Sequence, residues 1–375
     1  MIPFNRPLYL GTELACVNEV LRAELGTSFR LECESWFHRH TGGSVALMTP
    51  SCTHALELAA LVADIGPGDE VILPGYTFVS SANAFALRGA MPVFVDIRTD
   101  TCNIDERAIE AAITERTRAV VVVHYGGVAC EMEAILPLAK RHGLLVIEDA
   151  AHGVMAQWRG RPLGSIGDLG ALSFHATKNY TSGGEGGMLL VNEPRMAERA
   201  RLIRTKGTDR DAFLRGDVDR YTWQVVGSNY LPSEVQAACL YAQLSAAEKV
   251  NERRRALWQR YAEMLGPLGA SQGFGIQSVP AGCRHNGHLF YLRLPPGLSR
   301  DAWIAALAEK GVEACSHYTP LHTAPAGLLN SRFQGSAKHT LAACGDLVRL
   351  PLYYALTDTE QAQVIDAVTE LMRQC

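Results

Sequence analysis

The sequence has no run of about 18 apolar residues, so no membrane-spanning helix is expected. Its first seven residues lack a basic region followed by an apolar stretch. No signal peptide is expected there, and the protein is read as cytoplasmic. An excess of positive charge is missing too. Lys and Arg total 35 against 39 Asp and Glu, a formal net charge of −4, which is not the balance of a nucleic-acid binder. The one basic run, Arg253-Arg254-Arg255, reads as a solvated helix face. None of the ten cysteines has C-x-x-C spacing, and a chain of 375 residues has no need of disulfide staples. Reduced cysteines packed as small hydrophobes are expected. His285-x-x-His288 and His38-x-His40 lack the Cys or carboxylate companions of a zinc site, so no metal is expected.

What is present is core-forming. Hydrophobic residues make up 47% and charged residues 20%, a composition that excludes disorder as the main state. Seven short aliphatic runs punctuate the first two thirds: 45–49, 70–74, 92–96, 119–125, 144–149, 170–175 and 187–191. Such runs are the mark of buried strands in a mostly parallel sheet. Helical patterns lie between them. In 53–65, Leu58, Leu61, Val62 and Ile65 share one face, and Gly66-Pro67-Gly68-Asp69 then turns the chain. Residues 131–142 read as a second helix, closed by Gly143. This alternation predicts a doubly wound α/β domain. After about Ser233 the pattern changes to a long helix over 233–262, Pro- and Gly-rich turns over 266–282, a strand over 288–294, and helices over 301–310 and 358–373. The expected division is a large domain over 1–249 and a smaller α+β domain over 250–375.

In open α/β sheets, ligands bind beyond the carboxyl ends of the strands. The first strand leads into Pro50-Ser51-Cys52-Thr53 at a helix start, where backbone N–H groups make an anion site. The fifth ends in Glu148-Asp149-Ala150-Ala151-His152. A buried acid there needs a partner, either backbone N–H groups or a protonated ring nitrogen of a ligand. The sixth runs into Ser173-Phe174-His175-Ala176-Thr177-Lys178. An anion site, an acid and a lysine at neighbouring strand ends are the parts that pyridoxal 5′-phosphate (PLP) requires, for its phosphate, its pyridinium nitrogen and its aldehyde. The glycine run 183–187 fits a dinucleotide loop poorly, because it precedes a strand and is not G-x-G-x-x-G.

These motifs, together with Pro74-Gly75-Tyr76-Thr77-Phe78, Gly183-Gly184-Glu185-Gly186-Gly187, Gly227-Ser228-Asn229-Tyr230 and His317-Tyr318-Thr319-Pro320-Leu321-His322, resemble the DegT/DnrJ/EryC/StrS sugar aminotransferases, which are PLP enzymes of fold type I. The resemblance spans essentially the whole chain. Residues 76–90, 124–133 and 177–187 are especially similar to enzymes that aminate TDP-4-keto-6-deoxyglucose.

The resemblance implies a PLP-binding large domain with a seven-stranded, mostly parallel sheet, and a homodimer with shared active sites. Lys178 would be the Schiff-base lysine and proton carrier, and Asp149 the partner of the ring nitrogen. Phe78 would stack on the ring, and His152 would lie beside the phenolic oxygen. Cys52, Thr53 and Ser173 would hold the phosphate, and Asn229 would reach the neighbouring subunit's cofactor. Glu185, Tyr318 and His322 would lie near the sugar. The implied reaction moves the amino group of L-glutamate to C4 of a nucleotide-linked 4-keto-6-deoxy sugar. Amination at C3 of a related keto sugar and a non-catalytic regulatory role are the alternatives. Lysine at position 178 favours transamination, since relatives that dehydrate sugars carry histidine there. Two residues depart from the family pattern: His152, where many members have glutamine, and Ala176, where close relatives have an acid.

Overall fold

Residues 1–22 and 28–374 are described in a computed structural model of the chain. The seven aliphatic runs form the strands β1 (Val45–Thr49), β2 (Glu70–Pro74), β3 (Met91–Val95), β4 (Thr117–Val123), β5 (Leu145–Asp149), β6 (Leu169–Ser173) and β7 (Gly187–Val191). All lie within two residues of their expected bounds. They share one sheet in the order β1-β7-β6-β5-β4-β2-β3, and β7 alone runs antiparallel to its neighbours.

An eighth strand, Arg332–Phe333, pairs in parallel with the outer side of β3. The sequence reading places only seven strands in this sheet. The eighth is two residues long and carries no aliphatic run. An ion pair from Arg332 to buried Glu70 on β2 helps to fix it, with Nη2–Oε2 at 2.9 Å.

Strand residues alternate between two apolar layers, because successive side chains point to opposite faces. Met48, Ile72, Val120, Val122, Val146 and Leu172 enter one layer, with residues of the helices Phe29–His40, Met132–Arg141 and Glu234–Leu244. Leu47, Val71, Leu73, Val121, Ile147 and Ala171 enter the other, with the helices Cys52–Val62, Ser80–Ala86 and Ala197–Arg204. A third layer gathers residues 257–372 and Ile2 around the strands Gly275–Ile276, Phe290–Arg293 and Leu347–Leu350. No described helix is long and apolar enough to cross a membrane.

Two local expectations are corrected. The helix expected over 233–262 is two helices, Glu234–Leu244 and Ala247–Ser271, broken at Ser245–Ala246. The second continues through Gly266 and Pro267, where turns were expected. Buried Leu257, Trp258, Tyr261 and Leu265 dock it against the C-terminal helix Asp358–Arg373, and that packing overrides local propensity. The run Arg253-Arg254-Arg255 is not a wholly solvated face. Arg254 is buried, and its guanidinium donates to the carbonyls of Gly287 (3.1 Å), His288 (2.8 Å) and Leu352 (3.0 Å).

Candidate active site

The parallel strands all end at one edge of the sheet, and a cavity of about 280 Å³ opens there. Cys52, Thr53, Phe78, Asp149, His152, Ser173, Lys178, Glu185 and Tyr318 line it. Nine of the eleven expected site residues therefore converge, although their positions span 52 to 318.

One end of the cavity is built on the turn after β1. Ser51 caps the following helix, its Oγ accepting from His54 N at 3.2 Å. The N–H groups of Cys52 and Thr53 open that helix and have no carbonyl one turn back within it. They sit where the helix dipole favours an anion. β7 supports the turn from below at Gly187. A methyl group at this position would collide with the backbone of Ser51 and Cys52, so only glycine allows so close an approach. Thr53 Oγ1 lies 2.8 Å from Ser80 Oγ.

At the other end stands Asp149. Its neighbour Glu148 projects to the opposite face of β5 and is fully buried. Glu148 accepts from Gly164 N (2.7 Å), Ile166 N (2.6 Å), Gly167 N (2.6 Å) and His124 Nε2 (2.8 Å). It is a structural carboxylate with no capacity left for a ligand. Among the described residues the Asp149 carboxylate accepts two bonds, from Ala151 N (3.1 Å) and Ser81 Oγ (2.6 Å), and it faces the cavity. Ser81 gives its proton to Asp149, so its oxygen takes the Thr77 hydroxyl at 2.8 Å. This Thr77–Ser81–Asp149 chain aims a carboxylate with spare acceptor capacity at the space where a protonated ring nitrogen fits.

Lys178 enters between these two ends, on the connection from β6 to β7. That connection folds back on itself: Phe174 N donates to Gly186 O and Ala176 N to Gly184 O, each at 2.8 Å. Gly183 and Gly184 turn it at φ +78° and +147°, values that side chains rarely allow. Lys178 Nζ has no hydrogen bond or ion pair among the described residues. Enclosure by protein pushes its pKa below the usual lysine value, as a nucleophilic amine requires.

The residues fit PLP: an anion-binding helix start, a carboxylate aimed at the ring nitrogen, and an uncommitted lysine between them. Phe78 is 56% exposed on the cavity wall, its ring tilted toward that of Tyr318 with centroids 6.4 Å apart. His152 is buried. Its Nδ1 accepts from Gly126 N at 3.1 Å, so the neutral ring carries its proton on Nε2 and remains a donor.

Known proteins point the same way. The model of the DegT/DnrJ/EryC1/StrS aminotransferase family matches residues 11–369. The chain belongs to that family. It is a PLP-dependent aminotransferase. Its structure superposes on the aminotransferase TlmJ from Streptoalloteichus hindustanus with a TM-score of 0.90 and 32% identity, covering 100% of this chain and 99% of that one. DesV from S. venezuelae, solved with a ketimine intermediate, gives 0.88 and 33%, with 97% and 95% covered. The PLP-form of Spr1654 from Streptococcus pneumoniae gives 0.89 and 25%, with 100% and 99% covered.

Two expected residues of the aminotransferase lie outside the cavity. Asn229 is exposed, and its backbone pairs with Thr205. His322 sits in the turn Leu321–Thr323 with its ring against Phe333, centroids 4.5 Å apart, and Phe94 at 6.5 Å. The aromatic edge beside β3 holds it away from the pocket. Sequence reasoning missed Ser81 and Thr77, whose role appears only through their contact with Asp149. It also missed His288 and His317. His152 stacks on His288 at 4.1 Å, and His317 lies nearly parallel to His152 at 6.1 Å. Burial and neighbouring positive charge push all three histidines well below the usual imidazole pKa.

Proposed function

We propose that this aminotransferase moves the amino group of L-glutamate to C4 of a nucleotide-linked 4-keto-6-deoxy sugar, TDP-4-keto-6-deoxyglucose, giving a TDP-4-amino-4,6-dideoxyhexose. The observation that carries an amino-transfer site is the uncommitted Lys178 between Asp149 and the Cys52–Thr53 helix start. Preference for a 4-keto sugar rests on the similarity of residues 76–90, 124–133 and 177–187 to enzymes with that acceptor.

When bound, PLP supplies an electron sink for breaking the bond to the substrate's α-hydrogen. Each residue has a defined part. Cys52 N–H, Thr53 N–H and the Ser173 hydroxyl bind the phosphate. Phe78 covers one ring face. Asp149, held by Ser81 and Ala151, keeps the proton on the ring nitrogen. His152 donates from Nε2 toward the phenolic oxygen. Lys178 Nζ would take up and return the proton, general acid–base work typically worth about 10²–10⁴-fold. Glu185 and Tyr318, on the wall of the cavity, contact the sugar. His322 is assigned to the sugar's outer rim.

Asn229 has no role in its own cavity, and we assign it to the phosphate site of a second subunit in a cytoplasmic homodimer. Exposed large apolar side chains such as Leu87 (72% exposed) and Leu329 (84%) suit burial in an assembly.

The test is a two-stage absorbance record. L-glutamate should abolish the visible band of the PLP-loaded enzyme, and TDP-4-keto-6-deoxyglucose should restore it. NMR of the product should place nitrogen on C4. A band that glutamate bleaches but this sugar does not restore rejects the acceptor, and nitrogen on C3 of a related sugar rejects the regiochemistry.

A further inference from the structure

His152 is held by more than its own hydrogen bonds. Gly126 N fixes its Nδ1, and Asn286 Nδ2 donates to its carbonyl at 2.7 Å. Neither bond sets the plane of the ring firmly, because the last torsion of histidine is broad. Stacking sets it. The His288 ring lies over that of His152, with planes 23° apart and centroids 4.1 Å apart. His288 is itself locked. Asn179 follows Lys178 directly, and its Nδ2 donates to the Asn286 carbonyl at 3.1 Å. That bond turns Asn179 Oδ1 toward His288 Nδ1, 2.9 Å away. An amide oxygen only accepts, so His288 carries its proton on Nδ1, whereas His152 carries its own on Nε2. The stacked rings are therefore opposite tautomers, each set by a different partner. Asn286 closes the circuit from Asn179 through His288 to His152 and back. Asn179, Asn286 and His152 are buried, and His288 opens in part onto the space behind Lys178. The circuit thus ties the neighbour of the lysine to the residue expected beside the phenolic oxygen.

We infer that His288 is a positioning residue for His152: locked by Asn179, its flat ring keeps the Nε2–H of His152 aimed at the phenolic oxygen of PLP. A glutamine at 152 would have no ring to stack, so the device depends on the histidine that this chain carries there. The stack also needs neutral rings, since like charges this close repel strongly in a buried site. Lys178 after β6, Arg349 on the strand Leu347–Leu350, Arg254 on the helix Ala247–Ser271 and His317 face the pair, and with burial they disfavour a proton on either ring. Tyr125, after β4, meets His152 edge-on at 5.9 Å. In the loaded enzyme the phenolic oxygen also takes a hydrogen bond from Lys178 Nζ. His152 competes for that oxygen and so lowers the pH at which Nζ gives up its proton. The inference rests on the placement of His152 under the proposed function.

The test is a double-mutant cycle read by the pH midpoint of the visible band of the PLP-loaded enzyme, with no substrate present. His152→Ala removes the donor and should raise the midpoint by about one pH unit, since a hydrogen bond to a charged oxygen contributes about tenfold. His288→Ala should raise it by about half a unit, and His288→Phe, which keeps a flat ring, by less. In the His152→Ala background, His288→Ala should add nothing, whereas a general loosening of the site would add its full shift again. If His152→Ala moves the midpoint but His288→Ala does not, the inference is overturned and the placement of His152 stands. The same rise from His288→Ala with and without His152, or equal rises in the two His288 variants, also overturns it. No shift with His152→Ala removes His152 from the phenolic oxygen, and the inference falls with it. Nitrogen-15 NMR of ring-labelled histidine in the unaltered apoenzyme is independent of how the variants fold. It should find the proton on Nδ1 of His288 and on Nε2 of His152, and a His288 protonated on Nε2 would refute the lock.

Discussion

Gly187→Ala is the substitution that most directly connects the fold to cofactor affinity. The added methyl would point from β7 into the backbone of Ser51 and Cys52, about 1 Å inside the closest approach that packed atoms make. No flexible side chain is there to yield, so the helix start itself must move. A shift of about 1 Å stretches an N–H···phosphate bond of about 2.9 Å beyond hydrogen-bonding range. Each such bond to a charged group contributes about 1.5 kcal/mol or more. Losing one weakens PLP binding about tenfold, and losing both about 100-fold. The assay is the equilibrium dissociation constant of PLP for the apoenzyme, read by the cofactor's absorbance, with thermal unfolding run alongside. Gly345→Ala is the control, because it lies in the helix Lys338–Asp346 with open space around it and should leave affinity unchanged. A folded Gly187→Ala enzyme that binds PLP within twofold of the unaltered protein would refute the placement of the phosphate on this turn.

Lys178→Ala should fold and bind PLP by its phosphate yet lose multiple turnover. Full steady-state activity would remove the lysine from the chemistry. Asp149→Ala should weaken PLP binding and reduce kcat by at least about 100-fold, whereas Ser81→Ala, which removes one of two donors to Asp149, should cost about tenfold; equal kinetics for Ser81→Ala and the parent would show that the Thr77–Ser81 chain does not orient the acid. Acidification should destabilise the protein. His152, His288 and His317 have folded pKa values below the unfolded value of about 6.5, so below that pH the unfolded chain binds more protons and stability falls as pH drops. With three such groups the slope approaches about 4 kcal/mol per pH unit below about pH 6, and urea midpoints at pH 7.5 and 5.0 measure it. A flat profile would mean that these rings accept protons in the folded state.

The sequence by itself determined the large sheet and most of the lining of the cavity, because both are written in local pattern. A strand buried on two faces must be aliphatic throughout, and β4, with Val120 to Val123, shows this directly. Cavity-facing residues close such strands or stand on the turns after them, which places Asp149, Ser173 and Lys178 by position alone. Tertiary structure decided what depends on partners far along the chain. It divided the helix at Ser245–Ala246, carried the next helix through Pro267, and recruited Arg332–Phe333 to the sheet edge through Glu70. It separated two adjacent acids into different tasks, since the alternation of β5 turns Glu148 toward four donors and Asp149 toward the cavity. It set His322 against Phe333 and brought His288, His317 and Arg349 behind Lys178. No spacing rule encodes these meetings. They arise because the strands Phe290–Arg293 and Leu347–Leu350 pair with each other, and their packing returns the C-terminal third of the chain to the sheet edge where the lysine stands.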